Sequence, residues 1–193
     1  YFDPMSSTTI IPKELYLETG FEVAKKTIAK IKGATATHFA SGNCLPIMSN
    51  LRDTGTAVVG ISVLEDLVAL KKAADKKLTL LGNLNALEMR HWSIEQTKQY
   101  VKEAIRQGAQ GGGFILAENH GEIPWDIKEE TLLAIKMLYM NTVHIQLLNK
   151  MNLYICESFV KELQEVTEQY ENVKIHSYKS KCKYQHIKDP FEN

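Results

Sequence analysis

An α/β fold built on a parallel sheet is predicted by three features of this 193-residue chain. Four short apolar runs, each too brief for a helix, alternate with longer stretches whose apolar residues recur at helical spacing. Each run ends in Gly, Asn, Ser or His, the punctuation of a strand giving way to a loop. The sharpest case is residues 111–124, where Phe114-Ile115-Leu116-Ala117 passes into Glu118-Asn119-His120-Gly121-Glu122-Ile123-Pro124 and an amphipathic helix comes next. Strand and helix in steady alternation imply right-handed crossovers, in either a doubly wound sheet or part of a (β/α)8 barrel.

The first helix opens at Ile11-Pro12-Lys13, with Pro near its first turn and Leu17, Phe21, Ala24, Ile28 and Ile31 on one face, and is expected to run to about Lys32. Residues 34–39 form a strand closed by Ser41-Gly42-Asn43, and a helix over 45–52 ends at Gly55. The next unit is a strand over 57–62 and a helix over 64–74 carrying Leu67, Leu70 and Ala74. A third strand and turn, 78–83, leads to a helix reaching about Gln107, in which Ser93 and Gln96 have capping-box spacing. The fourth strand covers 114–117, and its helix, 127–139, bears Leu132, Leu133, Ile135 and Met137. Gly111-Gly112-Gly113 precede their strand instead of joining strand to helix, so they serve a tight turn; neither GxGxxG nor GxxxxGK occurs.

Four units make half of a barrel that takes about 250 residues. After about Asn141 the chain changes character: a helix over 154–170, a strand-like 173–176, and a tail with Lys179, Lys181, Lys183 and Lys188 that is expected to be solvated and disordered. The chain thus divides into residues 1–140 and a C-terminal extension, 141–193. It opens at Tyr1 and not at Met, which predicts further sequence upstream.

With 44% hydrophobic and 24% charged residues the composition is that of a globular protein. Lys plus Arg equal Asp plus Glu at 23 each, so no overall basic field favours nucleic acid or an anionic membrane. No apolar run approaches a membrane span and no signal-peptide order opens the chain, which predicts a cytoplasmic protein. Cys44, Cys156 and Cys182 are odd in number and outside any CxxC, against a disulfide framework or a zinc ribbon.

The chemistry gathers at strand ends, which in a parallel α/β fold open on one face. His38 lies beside Ser41, Gly42, Asn43 and Cys44; Gly82 and Asn83 end the third strand; His120 ends the fourth. His38, His120 and Cys44 are candidate zinc ligands, because imidazole nitrogen and thiolate sulfur are that ion's preferred protein donors. The alternative is that the two histidines hydrogen-bond loop backbones and Cys44 is a small buried hydrophobe. Gly82 and Asn83 are candidates to bring backbone amides and a carboxamide to a substrate, with Ser41 and Asn43 beside them. Glu118 and Glu122 flank His120 as groups able to orient it, and Trp92 and Trp125 are expected to pack near the rim.

The ordered series His38...Gly42-Asn43, Asp53-Thr54-Gly55, Gly82-Asn83-Leu84, and Gly112-Gly113-Phe114-Ile115-Leu116 with Asn119-His120-Gly121-Glu122-Ile123-Pro124 resembles the carboxyl-terminal half of the uroporphyrinogen decarboxylase superfamily. Asp3-Pro4-Met5-Ser6-Ser7 and Ile11-Pro12-Lys13-Glu14-Leu15-Tyr16 resemble the segment entering the fifth barrel unit, so the resemblance spans residues 1–138. It implies a partial (β/α)8 TIM barrel of four carboxyl-terminal βα units. It also implies one of two activities: methyl transfer from a methylated corrinoid protein to a thiol such as coenzyme M, or decarboxylation in porphyrin biosynthesis.

In the methyltransferases of that superfamily zinc is held by His-x-Cys after one strand and by a further Cys after the last. The matching positions here read His38-Phe39-Ala40 and His120, leaving His38, His120 and Cys44 as the donors available. The decarboxylase's arginine-rich segment and acidic pyrrole-binding residue belong to the half this chain lacks, whereas His120 matches its pocket histidine. No DxHxxG cobalamin signature occurs, so a corrinoid is expected to arrive on a partner protein. The methyltransferase is the favoured expectation and the decarboxylase the runner-up, with His38 and His120 as catalytic residues. The third expectation is an inactive half-barrel remnant stabilised by self-association or by a separate N-terminal half.

Overall fold

The computed structural model describes residues 1–151 apart from 122, with side chains as far as Met140. By contacts the chain divides into Tyr1–Met140 and Asn141–Asn193, and the sheet with its helix layer belongs to the first unit. The helix, strand and basic tail expected over 154–193 lie outside the described residues.

Strands β1 (Ala36–His38), β2 (Val58–Gly60), β3 (Thr79–Leu84) and β4 (Phe114–Glu118) form one parallel sheet in the order β1-β2-β3-β4. Sequence order and spatial order coincide. A doubly wound sheet reverses direction at a switch point, whereas successive right-handed crossovers in one direction put every helix on one face and curve the sheet into a barrel arc. Of the two architectures left open by the sequence, the structure has the partial barrel.

The polar start of the chain is also part of the sheet. Phe2 bridges His38 in parallel register, the Tyr1 amine donates to the Ala36 carbonyl at 2.8 Å, and the amides of His38 and Asp3 complete the rungs at 2.9 and 3.0 Å. Residues 1–3 therefore cover the outer edge of β1.

The helix expected over residues 11–32 is two helices, α1 (Lys13–Glu18) and α2 (Gly20–Ile28). The break lies at Thr19, with φ −121° and ψ −78°, whose hydroxyl donates to the Leu15 carbonyl at 2.6 Å. Its cause is close packing: a Cβ on Gly20 would stand 2.3 Å from Ser6 Oγ and 3.1 Å from the buried Tyr16 ring. After β1 comes α3 (Met48–Leu51) between two 3-10 turns, closed by Gly55 in the left-handed region at φ 90°. Helix α4 (Leu67–Ala74) starts three residues later than expected because the Asp66 carboxylate caps the amides of Val68 and Ala69 at 2.8 and 3.2 Å.

The helix after β3 is likewise divided, into α5 (Ala86–Met89), capped by Asn85, and α6 (Ile94–Gly108). The capping box is present, with the Gln96 amide on Ser93 Oγ at 3.2 Å and the Ser93 amide on Gln96 Oε1 at 2.9 Å. Helix α7 (Glu129–Met151) continues past the expected Tyr139. Gly111, Gly112 and Gly113 have φ of 75°, 78° and 68°, so the tight turn into β4 needs residues without a side chain, as expected. Among the described residues no helix is long and apolar enough to cross a membrane.

Strand residues alternate between two environments. Val59 and Leu80 are fully buried under Met48, Leu51, Leu70 and Ala74 of the helix layer. Leu84 belongs to a second cluster with Met89, Trp92, Val101, Ile105 and Ile127. On the opposite, inner face Val58, Thr79 and Leu81 are half-buried and Ile115 is 43% exposed. Trp92 packs as expected, its ring centroid 4.6 Å from that of Tyr100. Trp125 does not: the loop after β4 anchors itself through Ile127 and leaves the Trp125 ring fully exposed.

Candidate active site

The strand carboxyl ends assemble the site, and the turn after β1 sets its geometry. Ala40 and Ser41 both occupy the left-handed region, at φ 48° and 63°, a conformation costing L-residues roughly 1–2 kcal/mol each. The reversal turns the Ala40 amide back onto His38 Nδ1 at 3.0 Å. The His38 ring then lies across β2, because Gly60 has no side chain: a Cβ there would be 2.3 Å from His38 Cδ2. Phe2 stacks on the imidazole at 5.9 Å between centroids and 16° between planes.

The turn after β4 reaches the same place. A Cβ on Gly121 would lie 3.6 Å from His38 Cε1, so the first and last strand ends meet over the sheet. Glu118 holds that turn, its carboxylate accepting from the amides of His120 and of Gly121, the latter at 2.7 Å. It orients His120 through the backbone, where residue type alone suggests an effect on the ring. The Asn119 amide donates to the Leu84 carbonyl at 3.0 Å. Among the described residues, Asn119 Oδ1 and His120 Nδ1 are buried without a hydrogen-bond partner.

Burial pushes the His38 pKa below its ordinary value, and the nearby Glu118 carboxylate opposes that shift in part. A neutral imidazole carries one proton. With Nδ1 accepting from an amide, that proton sits on Nε2, and His38 presents a hydrogen-bond donor to the mouth.

That tautomer bears on the expected zinc set. A histidine ligating through Nε2 must carry its proton on Nδ1, which here is an acceptor. Cys44 is unsuited for a different reason. It is fully buried, its amide and thiol both directed at the Glu65 carboxylate, and burial and then that negative charge push its pKa well up, against the thiolate that zinc requires. Among the described residues no group of three His, Cys, Asp or Glu side chains is placed to hold a metal ion. His38, His120 and Cys44 do not fit zinc in this arrangement, and Cys44 is instead the small buried hydrophobe of the alternative reading.

The expected substrate-binding residues separate. Asn43 uses its backbone to tie down the N-terminal loop, its carbonyl accepting from Thr8 and its amide donating to Thr9 Oγ1 at 2.8 Å. The Ser41 hydroxyl turns back to the Ala40 carbonyl. Gly82 is buried and leaves room for Ile61, whose Cγ1 would be 2.9 Å from a Cβ there. Asn83 lines a cleft of ≈ 370 Å³ with Val63, His91 and Trp92, apart from the ≈ 480 Å³ cleft that His120 shares with Phe2, Leu87, Arg90, Ile123 and Pro124. Sequence reasoning missed Phe2, Gly60, Glu65 and Arg90. Only tertiary placement distinguishes them from ordinary loop and helix residues.

No curated protein matches the chain in sequence. Among solved structures, a methyltransferase from Methanosarcina mazei has a similar fold, with a TM-score of 0.58 and 18% identity over 72% of this chain. The chain spans 41% of that protein. The family model for uroporphyrinogen decarboxylase (URO-D) matches residues 1–142, the region containing the four-stranded arc with His38 and His120. On that match the chain belongs to the uroporphyrinogen decarboxylase family.

Proposed function

We propose that the chain forms the carboxyl-terminal arc of a methyltransferase that moves a methyl group from a methylated corrinoid, carried by a partner protein, to a small-molecule thiol such as coenzyme M in the cytoplasm. The observation that carries this reading is an apolar rim near the strand carboxyl ends, made by the N-terminal strand segment, α5 and the loops after β2 and β4. Phe2, Leu64, Leu87, Ile123 and Trp125 are 65%, 83%, 52%, 47% and 101% exposed. Large exposed apolar side chains around a mouth suit delivery of a group on a macromolecule better than entry of a freely diffusing one. The fold similarity to a methyltransferase adds support.

The corrinoid would supply a methyl group bound to cobalt. The chain's own residues would position the acceptor: the His38 Nε2 proton donates to the sulfur as it becomes a thiolate, and Phe2 keeps water from one face of that imidazole. His120 takes the thiol proton. With that proton removed, the sulfur would be free to accept the methyl group that the corrinoid would supply. No step runs through zinc. The half-exposed inner face at Leu81 and Ile115 would be covered by the rest of the barrel or by a second copy.

A specific observation favours the decarboxylase as a second reading. Among the described residues the donors at the mouth are the neutral His38 imidazole, backbone amides and the Arg90 guanidinium, with no thiolate, and that set suits a metal-free lyase. Incubating the chain with methylcobalamin and coenzyme M, with methylated thiol measured by mass spectrometry, tests the first reading. Turnover should fall about 10²-fold or more in His38→Ala. Porphyrinogen turnover in place of thiol methylation would move the assignment to the decarboxylase, and inertness in both assays would leave the remnant.

A further inference from the structure

The turn after β4 runs past the sheet that carries it. The Asn119 amide still reaches β3, donating to the Leu84 carbonyl at 3.0 Å, and the next two amides, of His120 and Gly121, go to the Glu118 carboxylate, one to each oxygen. Backbone donors that leave a strand need an acceptor, and a carboxylate binds them more strongly than a neutral oxygen does. Gly121, at φ 94°, is placed so that a Cβ on it would lie 3.6 Å from His38 Cε1. Cε1 is bonded to both ring nitrogens. Nδ1 is taken by the Ala40 amide, so the ring edge beside Gly121 leads to the Nε2 that carries the proton. The ring has little freedom to avoid the turn, because it packs against Gly60 and Phe2 stacks on it.

We propose that Glu118 is a positioning residue that makes His38 and His120 one unit: its carboxylate fixes the His120–Gly121 turn against the His38 ring, so the donor on the first strand end and the imidazole on the last keep a set separation. The inference rests on both histidines acting at the mouth and adds what holds them in register. The carboxylate also acts through space. Burial pushes the His38 pKa down, the Glu118 charge opposes that push, and the Tyr1 amine adds to it.

NMR of the full chain, without substrate, tests this coupling. In the native protein an NOE should join the Gly121 Hα that points along the Cβ direction to His38 Hε1. Glu118→Ala should abolish that NOE and speed hydrogen exchange of the His120 and Gly121 amides about tenfold or more, the loss of a hydrogen bond to a charged group. Glu118→Gln keeps one acceptor oxygen and no charge. It should restore the NOE while the His38 midpoint falls below the native value, since the charge that opposed burial is gone. A residue that merely packs would leave that midpoint in place.

A native chain without the NOE, a folded Glu118→Ala that keeps both the NOE and native exchange, or a His38 midpoint unchanged in Glu118→Gln would overturn it. If Glu118→Ala fails to fold, the native NOE and the Glu118→Gln titration decide. None of these readouts uses a thiol or a methyl donor. Their failure therefore removes the coupling and leaves methyl transfer standing, whereas intact coupling with no thiol methylation does the reverse.

Discussion

The two faces of the sheet differ in kind. On the helix side Val59 and Leu80 are sealed beneath Met48, Leu51 and Leu70, and the thiol of Cys44 is closed in with them. On the inner side and at its mouth, Ile115 is 43% exposed, Ala40 and Ser41 hold left-handed backbone, and Asn119, His120 and Arg90 bury polar atoms without partners among the described residues. One face contributes the stability and the other spends part of it on geometry. Strain and unpaired groups persist only where surrounding structure holds them in place, and the helix-side core is what holds this mouth.

Truncations should separate the faces first. Leu80→Ala opens a cavity in a fully buried position and is expected to cost about 2–5 kcal/mol in urea unfolding. Ile115→Ala, on the inner face and away from the sealed layer, should cost about 1 kcal/mol or less. Similar losses at both sites would erase the distinction.

Glu65 sharpens the comparison because it fastens the mouth to the core. Its carboxylate accepts from the amides of Cys44 and Leu45, at 2.9 and 2.7 Å. Glu65→Ala should lose about 2–3 kcal/mol and free the Cys44 thiol to react with an aromatic disulfide in a chain whose Cys156 and Cys182 are replaced by Ser. An unreactive Cys44 there would show that packing alone protects the thiol. At Ser93, whose capping box lies on the helix side, Ser93→Ala should cost about 1 kcal/mol by thermal unfolding and leave the His38 titration midpoint unchanged.

The smallest effect is the pH dependence of His38. Its folded pKa is depressed by burial, so the unfolded chain takes up a proton first as pH falls below the ordinary histidine value near 6.5. The His38 contribution is fully present above that pH and declines below it, until the folded pKa is reached. An NMR titration should place the His38 midpoint below 6.5, with the acid-side decline reduced in His38→Phe. A midpoint above the ordinary value would mean that Glu118 outweighs burial.

Much of the helix-side face was legible in the sequence. Short apolar runs closed by polar or glycine residues marked all four strands to within a few residues, Ser93 and Gln96 announced their cap, and Gly55 ended its helix where expected. Local chemistry determines such features. The breaks at Thr19 and between α5 and α6 were not visible, since the first depends on Ser6 and Tyr16 meeting Gly20 across a loop.

The mouth was legible in outline only. Strand-end position brought His38 and the Asn119-His120-Gly121 turn together, as the parallel order requires. Which atom of His38 carries the proton depends on the Ala40 amide, and the fate of Cys44 depends on Glu65, 21 residues away. Residue type suggested a metal there, while hydrogen-bond direction argues for a donor.

Residues 1–3 join these observations. They form a short parallel strand held by three backbone hydrogen bonds, on the edge of a three-residue strand. Hydrogen bonds at a sheet edge open more readily than those of the sealed layer around Leu80. Each opening lifts Phe2 from the imidazole and admits water to that face, so the polarity felt by His38 alternates with the fraying of a sheet edge. The lifetime of a few edge hydrogen bonds thereby becomes a property of the chemistry at the mouth.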